Sequence, residues 1–266
     1  MISLPLFKQS VRSNLRYLLI FLAVLALYIS VIVSMFDPAL GSILKEFTAA
    51  MPQLMAMFGM DMAGTTLIGF QISYLYGFLL LLFPLIFSAM VANRLIARHV
   101  DRGSMAYLLA APCTRRQVAV TQMAALLCGL TVMIAFCSGL GFVCSEVMFP
   151  GKLELVAYIR LNLGLFCFHI AVAGLCFLAS CACNETRRSL MLGAGIPVLF
   201  FLIQMLANMG GKLEKLKYLT PFALFDPTGL AAGEGSALWM AGILLAAGAL
   251  LFGTGIAVFQ RRDLPL

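Results

Sequence analysis

The chain has 266 residues, of which 62% are hydrophobic and only 11% are charged, and its formal net charge is +7. Soluble domains are about 45–50% apolar and about a quarter charged, so a soluble globule of this size could not bury so much apolar surface. Intrinsic disorder is also excluded, because it requires few apolar residues and a high charge. What remains is a polytopic membrane protein.

The N-terminal segment alternates apolar and polar side chains at helical spacing. Its apolar positions are Leu4, Phe7, Val11, Leu15 and Leu18. Basic and polar residues fill the other side, which predicts an amphipathic helix over residues 3–16 that lies in the membrane interface. A frayed polar tail is the alternative.

Six stretches are long and apolar enough to cross a bilayer, which requires about 20 residues. The predicted spans are residues 17–36, 67–92, 118–143, 161–183, 190–207 and 237–259. Their apolar runs are continuous rather than alternating, which disfavours a β-barrel. Pro84 predicts a kink or a tilt in the second span. The predicted fold class is an all-α membrane protein with six transmembrane helices and a single transmembrane domain over residues 1–266.

Lysine and arginine are concentrated in alternate segments between the predicted spans. With the N-terminus inside, the inner segments hold 12 of the 18 basic residues and 3 of the 11 acidic residues. The positive-inside rule therefore predicts a multi-pass protein of the cell (inner or plasma) membrane with both termini in the cytoplasm. A nucleic-acid-binding surface is the weaker interpretation, because the basic residues are scattered over four short segments.

A methionine cluster lies in the first outer loop. Its members are Met51, Met55, Met57, Met60 and Met62. Their sulfur atoms could bind copper(I), or form an adaptable apolar surface for a hydrophobic ligand. We favour a third interpretation, in which they pack a short amphipathic helix over the outer mouth.

The predicted spans contain almost no ionisable groups. His169 is the only one deep within a span, and ion-coupled transport usually needs pairs of such groups. We therefore expect His169 to be a hydrogen-bonded packing residue. The chain has no phosphate-binding loop of the GxxxxGK[ST] type, and Cys181 and Cys183 lack further ligands that would complete a metal site. We predict no catalytic residue, no metal and no bound cofactor.

The inner loop over residues 98–116 has the most informative sequence. Leu108 and Leu109 could anchor a short helix on the membrane surface, and Pro112 would end it. Thr114 can then cap the third span by accepting a backbone N–H. The loop is predicted to be a rigid bend that docks a cytosolic partner, with an ordinary positive-inside loop as the alternative.

Two further motifs follow in the second half of the chain. Within an outer region over residues 209–235, the segment 219–227 reads Leu-Thr-Pro-Phe-Ala-Leu-Phe-Asp-Pro, which predicts short, broken helices that dip into the outer leaflet. Such backbone is tolerated at membrane depth only when protein buries it. The chain then ends Phe-Gln-Arg-Arg-Asp-Leu-Pro-Leu, and Arg261 and Arg262 are predicted to anchor the sixth span at the inner surface.

Small residues line one face of the sixth span. They are Gly242, Ala246, Ala249, Gly253 and Ala257. Such a face allows close helix packing. We expect it to pack within its own bundle, with a sister subunit as the alternative.

Taken in this order and on these sides of the membrane, the three motifs resemble those of permease subunits of ABC exporters of the ABC-2 type. The resemblance implies that the 98–116 loop is the coupling helix, which receives the motion of a separate ATPase. Its ATPase-coupling residues would be Asp101, Arg102, Gly103, Leu108, Leu109, Pro112, Thr114, Arg115 and Arg116. The outer gate would be formed by Pro221, Phe222, Phe225, Asp226 and Pro227, and the inner anchor by Arg261, Arg262 and Asp263.

The resemblance also implies a function and partners. The chain would be a non-catalytic subunit that works with two ATPase subunits, which bind ATP and Mg, and with a second permease chain in a homodimer or a related heterodimer. Because few charges occur in the spans, we expect an amphipathic or hydrophobic cargo: a peptide toxin or antimicrobial peptide first, then a lipid or a drug, then a polysaccharide. The alternatives are a stand-alone channel or secondary transporter, and a membrane enzyme or sensor.

Overall fold

The structure, a computed structural model, describes residues 2–36, 50–57, 66–105 and 113–263, except for the side chains of residues 211 and 212. The secondary structure of these residues is entirely helical. Six helical stretches are long and apolar enough to cross a membrane, as predicted. These spans, first to sixth, are Leu4–Ser34, Leu67–Asp101, Arg115–Met148, Leu155–Ala182, Thr186–Asn208 and Gly235–Arg261.

Two of the six spans are not single α-helices. The second contains, in order, an α-helix, a π-helix and two further α-helices: Leu67–Gln71, Ile72–Tyr76, Leu79–Leu95 and Ala97–Asp101. The fifth is divided into Thr186–Gly193 and Gly195–Asn208. Short helices outside the spans are Pro52–Met57, the 3-10 helices Gly211–Leu219 and Pro221–Leu224, and Pro227–Ala232.

The first span is one continuous helix. The predicted interfacial helix over residues 3–16 and the predicted span over residues 17–36 are joined in Leu4–Ser34 without a break. Its 31 residues extend over about 46 Å, which exceeds the roughly 30 Å of a bilayer's hydrocarbon core. The basic N-terminal turns therefore continue the spanning helix beyond the hydrocarbon core.

The second and fourth spans form the centre of the bundle. In each of them 61% of the most apolar 18-residue stretch is buried within the protein. The corresponding fraction is 17–33% in the other four spans. The fourth span packs most extensively against the sixth and the second, and the first packs mainly against the third. We call the end where the first span begins and the sixth ends the basic end, and the opposite end the far end.

Glycine allows the fourth and sixth spans to approach closely, but the sixth span uses a different face from the predicted one. A Cβ atom on Gly248 would come within 2.8 Å of the backbone carbonyl carbon of Ile170. The predicted small-residue face of the sixth span is exposed in this chain, so the expectation that it packs within the bundle is wrong. Its residues are Gly242, Ala246, Ala249, Gly253 and Ala257.

The second span runs through Pro84 and is interrupted elsewhere. Pro84 lies inside the helix Leu79–Leu95, and the interruptions lie at Gly77–Phe78 and at Ile96. Proline has no N–H, so Pro84 leaves the carbonyl four residues earlier, that of Leu80, without its helical donor. His169 of the fourth span fills this role, with Nε2 2.7 Å from Leu80 O. The prediction that His169 is a hydrogen-bonded packing residue is confirmed.

The fourth span also satisfies backbone groups at two further interruptions. Pro197 frees the carbonyl of Gly193 in the fifth span, and the thiol of Cys176 donates to that oxygen at 3.0 Å. At the Ile96 break, the Ser180 hydroxyl accepts from Ala97 N at 3.1 Å and donates to a carbonyl of the preceding helix. Three side chains of one helix thus satisfy backbone groups of two broken neighbours.

We expect His169→Leu to lower the free energy of unfolding by about 1–3 kcal/mol, because it leaves the buried carbonyl of Leu80 without a donor. His169→Gln is the matched control, since its amide can donate from a position close to Nε2. Unfolding of the purified chain in detergent, followed by circular dichroism, measures the difference.

A second substitution tests the cause of that loss. Pro84→Ala supplies a backbone N–H to the carbonyl of Leu80, so His169→Leu should cost less in the Pro84→Ala background than in the wild type. An equal cost in both backgrounds would show that His169 stabilises the bundle by some means other than this hydrogen bond.

Candidate functional site

The predicted coupling loop is tied to the fifth span. Asp101 ends the second span, and its Oδ2 accepts a hydrogen bond from the backbone N of Thr186 at 3.3 Å. Thr186 begins the fifth span. A carboxylate close to a helix N-terminus is stabilised by the helix dipole. The loop that leaves Asp101 is therefore fixed to the first turn of a helix that lies 85 positions further along the chain.

The other end of this loop is tied to the fourth and sixth spans. Arg115 begins the third span, and its Nη1 donates to the backbone oxygen of Arg262 at 2.9 Å. The Nη1 of Arg262 in turn donates to the backbone oxygen of Cys183 at 2.9 Å. We call the Arg115, Arg262 and Cys183 hydrogen bonds, together with the Asp101 to Thr186 bond, the basic-end clasp. It joins the spans on both sides of residues 98–116 to the fourth, fifth and sixth spans.

Arg262 is therefore more than the surface anchor that the sequence predicts. It is half-buried, and burial is the main cause that lowers its pKa, although an arginine stays charged at neutral pH. Its Nε and Nη2 have no partner among the described residues. Its neighbours in the predicted inner anchor, Arg261 and Asp263, are exposed.

The remaining residues of the loop have local roles or no described contacts. Gly103 has a φ of +67°, a left-handed conformation that favours glycine. Thr114 caps the third span as predicted: its Oγ1 accepts from Gln117 N at 3.2 Å, and Gln117 Oε1 accepts from Thr114 N at 2.9 Å. Arg102 and Arg116 are exposed. Leu108, Leu109 and Pro112 lie outside the described residues.

Aromatic rings of the predicted outer gate pack into the far end of the bundle. Phe222 and Phe225 are buried, and both lie against Phe168 of the fourth span, with ring centroids 4.7 and 5.5 Å away. Phe222 also contacts Phe201 of the fifth span at 5.7 Å. The predicted short, broken helices are present as Pro221–Leu224 and Pro227–Ala232, and Phe222, Phe225 and Leu230 are buried in protein.

The helix Pro227–Ala232 is held at both ends. Asp226 Oδ1 accepts from the backbone N of Thr228 at 3.1 Å and of Gly229 at 3.0 Å, which makes Asp226 its N-cap. At the other end, Arg160 Nη2 donates to the carbonyl of Ala231 at 3.0 Å. Asp226 therefore caps this short helix, and Arg160 joins its other end to the fourth span.

A cavity of about 330 Å³ lies beside these residues at the far end. Its walls combine aromatic rings with amides: Tyr76, Phe201, Gln204, Asn208, Phe222 and Phe225. The helix Pro52–Met57 packs against Gly195–Asn208 and reaches this cavity through Ala56. Of the methionine cluster, Met51 is exposed and Met55 and Met57 are partly buried, whereas Met60 and Met62 lie outside the described residues.

Sequence reasoning missed several polar contacts between spans. Asn162 Oδ1 accepts from Tyr76 OH at 2.9 Å and from Ser138 Oγ at 2.6 Å, which joins the second, third and fourth spans. At the basic end, Arg94 Nε donates to Asn14 Oδ1 at 3.0 Å, and its guanidinium lies 4.2 Å from the centroid of the Tyr17 ring. No periodicity in the sequence identifies partners that are 24 to 86 positions away.

We expect Asp226→Ala to accelerate hydrogen exchange in the helix Pro227–Ala232 about fivefold, because an N-cap contributes about 1 kcal/mol. Asp226→Asn keeps a side-chain acceptor and is the matched control. Hydrogen exchange of peptides that cover residues 226–233 measures the effect. Equal exchange in Asp226→Ala and the wild type would contradict the capping role.

Nearly the whole chain matches a known family of proteins. The model of the "ABC-2 family transporter protein" family matches residues 6–264. No match is found among curated proteins. In this family the membrane chain is a non-catalytic transmembrane subunit that works with ATPase partners. With a match over nearly its whole length, the chain belongs to the ABC-2 family of transporter membrane proteins.

Proposed function

We propose that this chain is the permease subunit of an ATP-driven exporter and that it forms the path of an amphipathic or hydrophobic cargo. Family membership establishes a transmembrane subunit of an ABC-2 transporter with ATPase partners. The proposal adds the outward direction of transport, the class of cargo and the residues that couple it to the ATPase.

The observation that carries the coupling proposal is the basic-end clasp. Its hydrogen bonds from Asp101 and Arg115 connect both ends of the 98–116 loop to the fourth, fifth and sixth spans. A displacement of the loop would therefore move several spans together rather than one helix alone. Docking of the ATPase subunit would use other residues of the 98–116 loop: Arg102, Gly103, Leu108, Leu109, Pro112, Thr114 and Arg116.

We further propose two ATPase subunits, which supply ATP and Mg, a second permease chain, and cytoplasmic termini. The first, fifth and sixth spans have only 17, 22 and 28% of their most apolar windows buried in this chain. Such surfaces suit contact with lipid or with a second permease chain. The cytoplasmic orientation is supported by the excess of basic residues at the basic end.

The far end suits an amphipathic cargo. Most polar groups within the spans bond to one another or to freed backbone groups, as at Asn162, His169 and Ser180. The cavity beside Phe222 and Phe225 offers aromatic walls together with amide groups. We therefore rank an amphipathic peptide, such as a toxin or an antimicrobial peptide, above a lipid or drug, and both above a polysaccharide. Pro221, Phe222, Phe225, Asp226 and Pro227 would form the gate.

Arg115→Gln tests the coupling. It removes the guanidinium that bonds to Arg262 and leaves the proposed docking residues on either side. In vesicles that hold the permease with its ABC ATPase partner, we expect ATP hydrolysis to continue while uptake of a labelled amphipathic peptide falls about tenfold, a typical size for a coupling between sites. Arg187→Gln, at an exposed position near the same end, is the matched control for charge.

Three outcomes would contradict the proposal. Transport that is unchanged by Arg115→Gln would remove the clasp from the mechanism. Transport without any ATPase would favour a stand-alone channel or secondary transporter. Uptake of labelled lipid or polysaccharide in place of peptide would overturn the cargo ranking and leave the coupling intact.

A further inference from the structure

We propose that the basic end binds the phosphate group of an anionic membrane phospholipid. The site is a cavity of about 370 Å³ between the first span and the end of the second. Its polar walls include Arg94, Arg98, Arg102, Ser10, Ser13 and Gln122. All three arginines lie at or near the end of the second span, and all three line this one cavity. This proposal does not rest on the cargo or on the coupling mechanism.

These guanidinium groups lack anionic partners. The ion pairs among the described residues are Arg188 with Glu185 and Lys217 with Glu214, and neither involves this cavity. Arg94 bonds only to neutral oxygens, those of Asn14 and Tyr17.

The other two arginines are available to a ligand. The side chains of Arg98, which is half-buried, and of Arg102 have no hydrogen bond to the described residues. A partly desolvated cation is stabilised by an anion, and the planar guanidinium matches a phosphate group with two parallel hydrogen bonds. The positive charge of the cavity therefore favours a phosphate ligand.

An adjoining groove favours a lipid as the source of that phosphate. This groove has a volume of about 750 Å³ and shares Gln9, Ser13 and Arg94 with the cavity. Its apolar wall is formed by side chains that are 43–60% exposed, namely Leu15, Leu19 and Ile20. A basic cavity that continues into an exposed apolar groove matches a molecule with an anionic headgroup and a hydrocarbon chain. Basic pockets between membrane helices are suited to such headgroups.

The double substitution Arg98→Gln and Arg102→Gln tests the site in the purified permease without any ATPase. Native mass spectrometry measures the retention of phosphatidylglycerol and of phosphatidylcholine. Each arginine near a membrane surface contributes about a fivefold change in anionic-lipid affinity, so we expect roughly a 25-fold loss for phosphatidylglycerol. Wild-type protein should retain phosphatidylglycerol in preference to phosphatidylcholine.

Two controls separate binding from folding and from total charge. Arg116→Gln with Arg187→Gln removes the same charge at exposed positions outside the cavity, and it should leave retention unchanged. Arg98→Lys keeps the charge, and it should retain most of the binding. Because the Arg98 and Arg102 side chains have no described hydrogen bonds, the double variant should unfold at the wild-type temperature in lipid-free detergent.

Three results would overturn the proposal. The first is equal retention of phosphatidylglycerol by the wild type and the double variant. The second is binding of inorganic phosphate as tightly as the lipid, which would assign the cavity to a free anion. The third is equal retention of phosphatidylglycerol and phosphatidylcholine by the wild type, which would show that the cavity does not select an anionic headgroup.

Discussion

Every backbone N–H and carbonyl group inside a membrane must find a partner within the protein, and the rest of this bundle depends on how the fourth span meets that requirement. The second and fifth spans contain Pro84 and Pro197, and each proline removes a helical donor. His169 and Cys176 of the fourth span donate to the two carbonyls that these prolines leave free. Ser180 bridges a further break in the second span. The fourth span therefore stabilises both broken helices.

Helical spacing explains how one helix serves two neighbours. His169, Cys176 and Ser180 are separated by seven and four residues, so they lie along one face of the fourth span. Gly174 lies on another face, where the sixth span approaches closely opposite Gly248. Hydrogen bonds from one side of the fourth span thus hold the second and fifth spans. On its other side, glycine leaves room for the sixth span to approach. This arrangement accounts for the deep burial of the fourth span.

The sequence predicted what depends on composition and on local spacing. Long apolar runs identified the six spans, and Thr114 before a helical pattern identified an N-cap that the structure confirms. It could not predict what depends on distant partners, such as the bond between His169 and Leu80, which are 89 positions apart. It also misjudged the sixth span, because small residues occur on two of its faces and only packing decides that Gly248 is buried while Gly253 is exposed.

The two ends of the bundle are held by different kinds of interaction, and this difference bears on movement. At the far end, buried rings such as Phe168 and Phe222 pack tightly, and Asp226 fixes a short helix. At the basic end, hydrogen bonds from Arg115 and Arg262 to carbonyl oxygens join the ends of the third, fourth and sixth spans. Such bonds each contribute about 1.5–3 kcal/mol, so they can be exchanged at modest cost, whereas a packed aromatic core must move as a unit. The basic-end hydrogen bonds can therefore rearrange while the aromatic cluster at the far end stays packed.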